Sequence, residues 1–117
     1  MPALGAAIGG EEGIRDVTQY VRSLSNMSHD SQQAVAGKAK FAICAACHGS
    51  DGKGNAAMGA PNLTDTVWLY GSAPEVIAEG IRNGRNNVMP AQKERLGAAK
   101  IHLLSAYVFS LGGGTAK

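Results

Sequence analysis

The chain has 117 residues, 44% of them hydrophobic, with sixteen glycines, only six aromatic residues and a formal charge of +2. That length fits one small domain with an appendage rather than two full domains. The scattered Lys and Arg form no basic stripe with interleaved aromatics, which sets nucleic acid aside as the main partner; no run of about 18 apolar residues reads as a membrane span.

The opening "MPALGAAIGGEEG" lacks the basic start, apolar stretch and cleavage site of a secretory signal. It is therefore expected to be either a cytoplasmic start or a piece of something longer. Ile14, Val17, Tyr20, Val21 and Leu24 then recur at helical spacing, predicting a helix with one apolar face. "SNMSHDS", Ser25 to Ser31, reads as a polar linker.

Residues 31 to 47 read as a helix with Asp30 or Ser31 as N-cap and with Val35, Phe41 and the two cysteines facing inward. Gly37 lies four residues before Phe41 on roughly the same side, where a missing side chain lets another helix approach closely. At the end of this helix Cys44, Cys47 and His48 stand at i, i+3 and i+4, on one face. C-x-x-C-H is the attachment signature of c-type haem: two thiols form thioether bonds to the macrocycle, and the adjacent histidine reaches the iron. Three other readings compete. Zinc wants a fourth ligand, and only His29 and His102 remain as nitrogen donors, neither at a familiar spacing. A thioredoxin-like pair needs a βαβ context that no β-branched run supplies, and a disulfide in so short a loop adds little stability. Haem outranks all three, and a large apolar ring supplies the core that six aromatic residues cannot.

"HGSDGKGNAAMGAPNL" follows as an irregular segment suited to wrapping a ring edge. "SAPE", Ser72 to Glu75, has capping-box spacing, so Ser72 to about Asn83 is expected to be helical, with Val76, Ile77 and Ile81 inward and Gly84 as its stop. Met89, in the loop "NGRNNVMPAQ" 41 residues after His48, is the favoured second axial ligand, because a loop of that length can cross the ring and Pro90 stiffens it. Met58 lies too close behind His48 to reach the opposite face, Met1 and Met27 lack a comparable loop, and His29 and His102 are outside candidates, His102 reading as exposed. Gly97 to Leu111 carries Ile101, Leu104, Val108 and Leu111 on one face with Tyr107 at its side, a helix expected to pack on the Gly37/Phe41 face. No segment alternates like a strand, so the fold class is all-α.

The two ends of the chain repeat each other. "MPALGAAIGGEEGIRDVTQYVRSLSN" and "MPAQKERLGAAKIHLLSAYVFSLGGG" both open Met-Pro-Ala and close Tyr-Val-x-Ser-Leu, Tyr20 answering Tyr107 87 residues on. Such similarity marks a duplicated module. Residues 1–26 are read as the truncated C-terminal tail of a preceding domain, and 27–117 as a domain with one haem. The front helix is expected to pack on the remaining domain or on a second copy of the chain.

These residues resemble class I c-type cytochromes, and within them the second haem domain of the dihaem subunit III of cbb3-type cytochrome oxidases. The resemblance rests on Cys44-x-x-Cys47-His48, Pro61, Met89-Pro90 and the closing Tyr107 helix, and more narrowly on "APNLTDTVWLYGS", "IRNGRNNVMPA" and "AYVFSLGGG". It implies a helical fold around one haem c bound through Cys44 and Cys47, with His48 and Met89 on the iron. It also implies that the Pro61 carbonyl accepts a hydrogen bond from His48, and that Trp68 and Tyr70 lie near the propionates with Arg82 or Arg85 as charge partner. For Trp68 the competing reading is a core aromatic whose N–H is satisfied by backbone. Gln92 stands where many relatives carry an aromatic or histidine, which bears on the packing beside Met89.

The function implied is electron transfer rather than catalysis. Electrons come from another haem domain or a soluble cytochrome c and pass toward the oxygen-reducing subunit, with the chain in the periplasm and a membrane anchor only in the parent. Lys38, Lys40 and Lys53 are read either as steering an acidic partner or as ordinary solubilising charge. A free-standing periplasmic carrier and a haem sensor or peroxidase are the alternatives, the last requiring an open sixth position.

Overall fold

The computed structural model describes residues 1–112, so Gly113 and Gly114 of the resembling C-terminal stretch lie outside the described residues. Five α-helices run through the described residues: α1 (Gly10–Leu24), α2 (Ser31–Lys40), α3 (Ala42–His48), α4 (Pro74–Asn83) and α5 (Lys93–Leu111). Short 3-10 turns stand at Ala6–Ile8 and Ala56–Met58. Among the described residues the only strand-like pairing is a single bridge between Asn55 and Ala60, and the fold is all-α as the sequence predicts. The chain divides into two compact units, Met1–Asn86 and Asn87–Lys117.

The first unit has its core where α1, α2 and α4 meet. Ile14, Val17 and Val21 of α1 are buried with Ile8, Phe41, Ile77 and Ile81, each large apolar side chain contributing about 1.5–3 kcal/mol by leaving water. Tyr20 meets Phe41 edge to face at 5.0 Å, a preferred aromatic geometry. The close approach of α1 to α2 depends on Gly37: a Cβ there would stand 2.0 Å from the Asp16 carbonyl oxygen and 2.9 Å from the Val17 nitrogen. Within this unit the helix seated on the Gly37/Phe41 face is α1, so the front helix packs on the domain that follows it. It is pinned by polar ties as well: Lys40 Nζ to Asp16 at 2.5 Å, Ser25 Oγ donating to the Leu63 carbonyl at 2.7 Å, and Arg22 Nη1 donating to the Ser72 carbonyl.

Asp30 caps α2, its carboxylate accepting from the Gln33 N–H at 2.9 Å. The predicted single helix of 31–47 breaks at Phe41, which closes α2 and opens α3. With Gly37 and Phe41 defining the inner face, Val35 turns outward and is 75% exposed, against expectation. The predicted Ser72 cap also fails. α4 begins at Pro74 behind Ala73 with no side-chain cap, while the Ser72 carbonyl is engaged by Arg22. Ile77 and Ile81 are buried as expected, Val76 is half-buried, and Gly84 ends the helix at φ 72°.

The second unit carries α5, interrupted at Gly97 (φ 73°, ψ 164°), so that the continuous helix starts beyond it. Among the described residues no helix is long and apolar enough to cross a membrane.

Candidate functional site

α3 ends the α2–α3 run with Cys44, Cys47 and His48 on its last turns. His48 is buried, and its Nδ1 lies 2.9 Å from the Pro61 carbonyl oxygen. A carbonyl only accepts, so Nδ1 carries the proton and Nε2 keeps its lone pair for a metal. The loop between them sets this contact. Gly54 donates its N–H to the His48 carbonyl at 2.7 Å, and Asn55 and Ala60 exchange backbone bonds at 2.9 and 3.0 Å, which turns Pro61 back over the imidazole. Gly54 has φ 87°, and a Cβ on it would lie 2.6 Å from the Ala60 oxygen and 2.8 Å from the Pro61 carbonyl carbon. Only glycine permits that backbone without strain.

Cys44 and Cys47 are half-buried free thiols. Burial pushes the Cys44 thiol up, and the neighbouring Cys47 adds to the effect, so at neutral pH Cys44 is held as the thiol rather than the reactive thiolate. Among the described residues no group of three or more His, Cys, Asp and Glu gathers to hold a metal ion, which leaves the zinc reading without a donor set.

Two observations test whether a haem fits. The Trp68 indole Nε1 is buried and meets no acceptor among the described residues, although a buried indole N–H ordinarily finds one; a propionate is an acceptor of the required kind. The Trp68 ring packs against the core as the competing reading expects, but no described backbone group accepts its N–H. In addition Ile43 on α3 and Met58, Val67 and Leu69 on the following loops are exposed apolar side chains, surface of the sort a large ring covers. The residues present fit the group.

The other sequence candidates fall in different places. Arg85 lies 3.9 Å over the Tyr70 ring, a cation–π distance, and its Nη2 donates to the Val76 carbonyl at 3.0 Å; the absent side chain of Gly80 leaves room for this guanidinium. Arg82 is instead committed to Glu11 through Nε and Nη2, both at 2.8 Å, and to Glu79 through Nη1 at 2.9 Å. The hydrogen bond from Arg82 holds the Glu11 carboxyl below its usual range, and the bonds Arg82 donates to Glu11 and then to Glu79 push the guanidinium higher. Met89 belongs to the second unit and is 88% exposed. Met58 is exposed, and His102 is exposed on α5 of the second unit. His29 donates Nδ1 to the Met27 carbonyl at 2.7 Å. Of the three lysines, Lys40 is engaged with Asp16, Lys53 stands 3.8 Å from Asp51, and Lys38 is exposed.

Sequence reasoning missed three residues that shape the site. Asn62 accepts from the Thr64 N–H at 2.8 Å and the Thr64 hydroxyl at 2.7 Å, an Asx turn that the "PNLT" run signals. Arg22 and Ser25 fasten the loop beyond it to α1, and nothing in their spacing announces that role.

The sequence profile of the family described as cytochrome c oxidase, cbb3-type, subunit III matches residues 32–108. The chain is 52% identical over 111 residues to the cbb3-type cytochrome c oxidase subunit CcoP of Rubrivivax gelatinosus, covering 95% of this chain and 36% of that protein. It is 51% identical over 103 residues to the subunit FixP of Bradyrhizobium sp. (strain ORS 278), covering 86% and 36%. A FixP from Bradyrhizobium diazoefficiens is 50% identical over 107 residues, covering 90% and 37%. The chain thus spans a little over a third of the length of these curated relatives.

Proposed function

The chain belongs to the cbb3-type cytochrome c oxidase subunit III family, and from that membership we propose that it is an electron-transfer domain of such an oxidase. Family membership implies covalent haem c. The finer reading is one haem on the Cys44 and Cys47 sulfurs, with His48 and Met89 as its axial pair. Residues 27–117 then form the haem domain, and residues 1–26 are the tail of a preceding one. The observation that carries this reading is the His48 imidazole held by Pro61 at 2.9 Å with Nε2 left as donor, on the same short helix as both thiols.

When bound, the haem supplies a reversible one-electron couple. The protein's part is to keep that couple in one geometry. Pro61 fixes the tautomer and orientation of His48 and raises its basicity as a ligand. The two cysteines would hold the ring so that the imidazole needs no search, the Trp68 N–H would be available to a propionate, and the Arg85–Tyr70 pair places a positive charge beside the Val76 carbonyl. Methionine as the second ligand raises the potential and suits electron transfer over ligand binding. Another haem domain or a soluble cytochrome c is the donor and the oxidase catalytic subunit the acceptor, on the periplasmic side.

The test is a redox titration combined with exposure of the reduced protein to carbon monoxide. A single reversible one-electron wave and no rapid carbon monoxide binding are expected. Fast, complete binding would move the chain to the sensor or peroxidase class.

A further inference from the structure

α1 ends against the loop that holds His48. Beyond Leu24 the chain turns through Asn26 at φ 56°, with the Asn26 N–H donating to the Ser23 carbonyl at 3.1 Å and the Met27 N–H to the Arg22 carbonyl at 3.0 Å. Positive φ is uncommon outside glycine, and asparagine is among the residues that tolerate it at a helix end. This turn leaves Ser25 buried, with 8% exposed, and its hydroxyl donates to the Leu63 carbonyl at 2.7 Å. Leu24 lies on the turn that follows His48, since a Cβ on Gly52 would stand 2.9 Å from its Cδ1. Arg22 secures this end of the helix, donating Nε to the Ser28 carbonyl at 2.9 Å and Nη1 to the Ser72 carbonyl.

Leu63 stands two residues beyond Pro61, and the segment between them has little freedom. The Leu63 N–H donates to the Gly52 carbonyl at 2.7 Å, and the Gly52 N–H donates to the Gly49 carbonyl, next to His48, at 3.0 Å. The Asn62 side chain accepts from both the Thr64 N–H and its hydroxyl. Leu63 is thus held from two sides, its N–H by the turn after His48 and its carbonyl by α1. A carbonyl that loses its donor in a buried place carries the full desolvation penalty, so the loop shifts to reach water. Peptide units are rigid planes, so a shift at the Leu63 carbonyl is passed along the segment to the Pro61 carbonyl that His48 uses.

Resting on the haem reading above, we propose that Ser25 is a positioning residue for the iron-ligating His48: through the Leu63 carbonyl, α1 holds the Pro61 carbonyl on Nδ1 and so helps to set the potential of the iron. Pro61 orients the imidazole, Ser25 orients Pro61, and Arg22 keeps Ser25 in place. A helix read as the tail of a preceding module thereby acts on this domain's iron through a relay of backbone carbonyls.

The experiment uses the full, haem-loaded chain. In the ferrous protein, NMR follows solvent exchange of the His48 Nδ1 proton and of the Leu63 amide, and potentiometric titration gives the reduction potential. Ser25→Ala should speed both exchanges by about two- to tenfold, as loss of one hydrogen bond does to a local opening. It should also shift the potential in the same direction as Gly54→Ala, which crowds the Pro61 carbonyl from its other side. Ser25→Thr keeps a hydroxyl and should stay near the parent. Ser23→Ala is the control, because the Ser23 hydroxyl donates within α1 to the Tyr20 carbonyl at 2.6 Å; all three readouts should stay at the parent values. Should Ser25→Ala fail to fold, Arg22→Lys, which cannot serve the Ser28 and Ser72 carbonyls together, should speed the same two protons to a smaller degree. A Nδ1 exchange rate and a potential that Ser25→Ala leaves unchanged, or that Ser23→Ala moves as far, would overturn the positioning role. A chain that carries no covalent haem would instead sink the haem reading, and the Leu63 and Nδ1 exchange rates would still judge the hold of Ser25 on the loop.

Discussion

Gly37→Ala tests the packing on which the first unit depends. The added Cβ would stand 2.0 Å from the Asp16 oxygen and 2.4 Å from its carbonyl carbon, both backbone atoms of α1 that no rotamer change can move aside. α1 must retreat by more than an ångström, and overpacking of this kind costs about 1–3 kcal/mol. A clash with backbone this close takes the upper part of that range, about 2–3 kcal/mol, and alanine returns about 1 kcal/mol through helix propensity, so the net loss is about 1–2 kcal/mol, or a fall in Tm of roughly 4–16 °C for a unit of this size. Thermal and urea unfolding of the haem-loaded chain, followed by circular dichroism, measures it, with Val35→Ala on the exposed side of α2 as control. A Gly37→Ala chain as stable as the parent, or more so, would refute the close seat.

The Glu11–Arg82 pair gives a pH dependence whose sign follows from the depressed carboxyl: its stabilisation is present above the ordinary carboxylate range and is lost as pH falls through the lowered value. Glu11→Gln should therefore remove a stabilisation at neutral pH that is small because the pair is exposed, and flatten the acid limb of a stability profile by the same small amount; an unchanged acid limb assigns that limb to other groups. Gly54→Ala should drive Pro61 away from His48 and lower the reduction potential, read by potentiometric titration, whereas an unaltered potential would mean that the Pro61 contact does not tune the site. Trp68→Phe removes an N–H that no described residue accepts. It should leave packing intact and shift the potential, and an unmoved potential would mean that no propionate uses this N–H.

Much of this was legible in the residues, and where it was not the cause is physical. Helical spacing, the Asp30 cap, the Gly84 stop and the inward Phe41 could be read locally, because each depends on a few neighbours. Val35 was misread because the inner face of α2 is set by the gap at Gly37, which matters only once a second helix fills it. Ser72 has the spacing of a cap, but α4 starts one residue beyond Ala73, and Arg22, fifty residues away, holds the Ser72 carbonyl. The occupant of the Gly37/Phe41 face could not be chosen from pattern at all: α1 and α5 offer nearly the same apolar stripe, and the difference lies in Asp16, Arg22 and Ser25, whose partners are scattered through the chain. At the site, C-x-x-C-H and Pro61 were readable, while Asn62 and the stacking of Arg85 on Tyr70 emerge from how the loops fold back.

The most direct measurement is the intact mass of the acid-denatured chain, purified from cells competent in haem attachment, beside Cys44→Ser, Cys47→Ser and the double variant. The parent should carry the mass of one haem that denaturation does not remove, and the double variant none. A parent at the mass of the bare polypeptide, yet compact and cooperative in unfolding, would contradict the account.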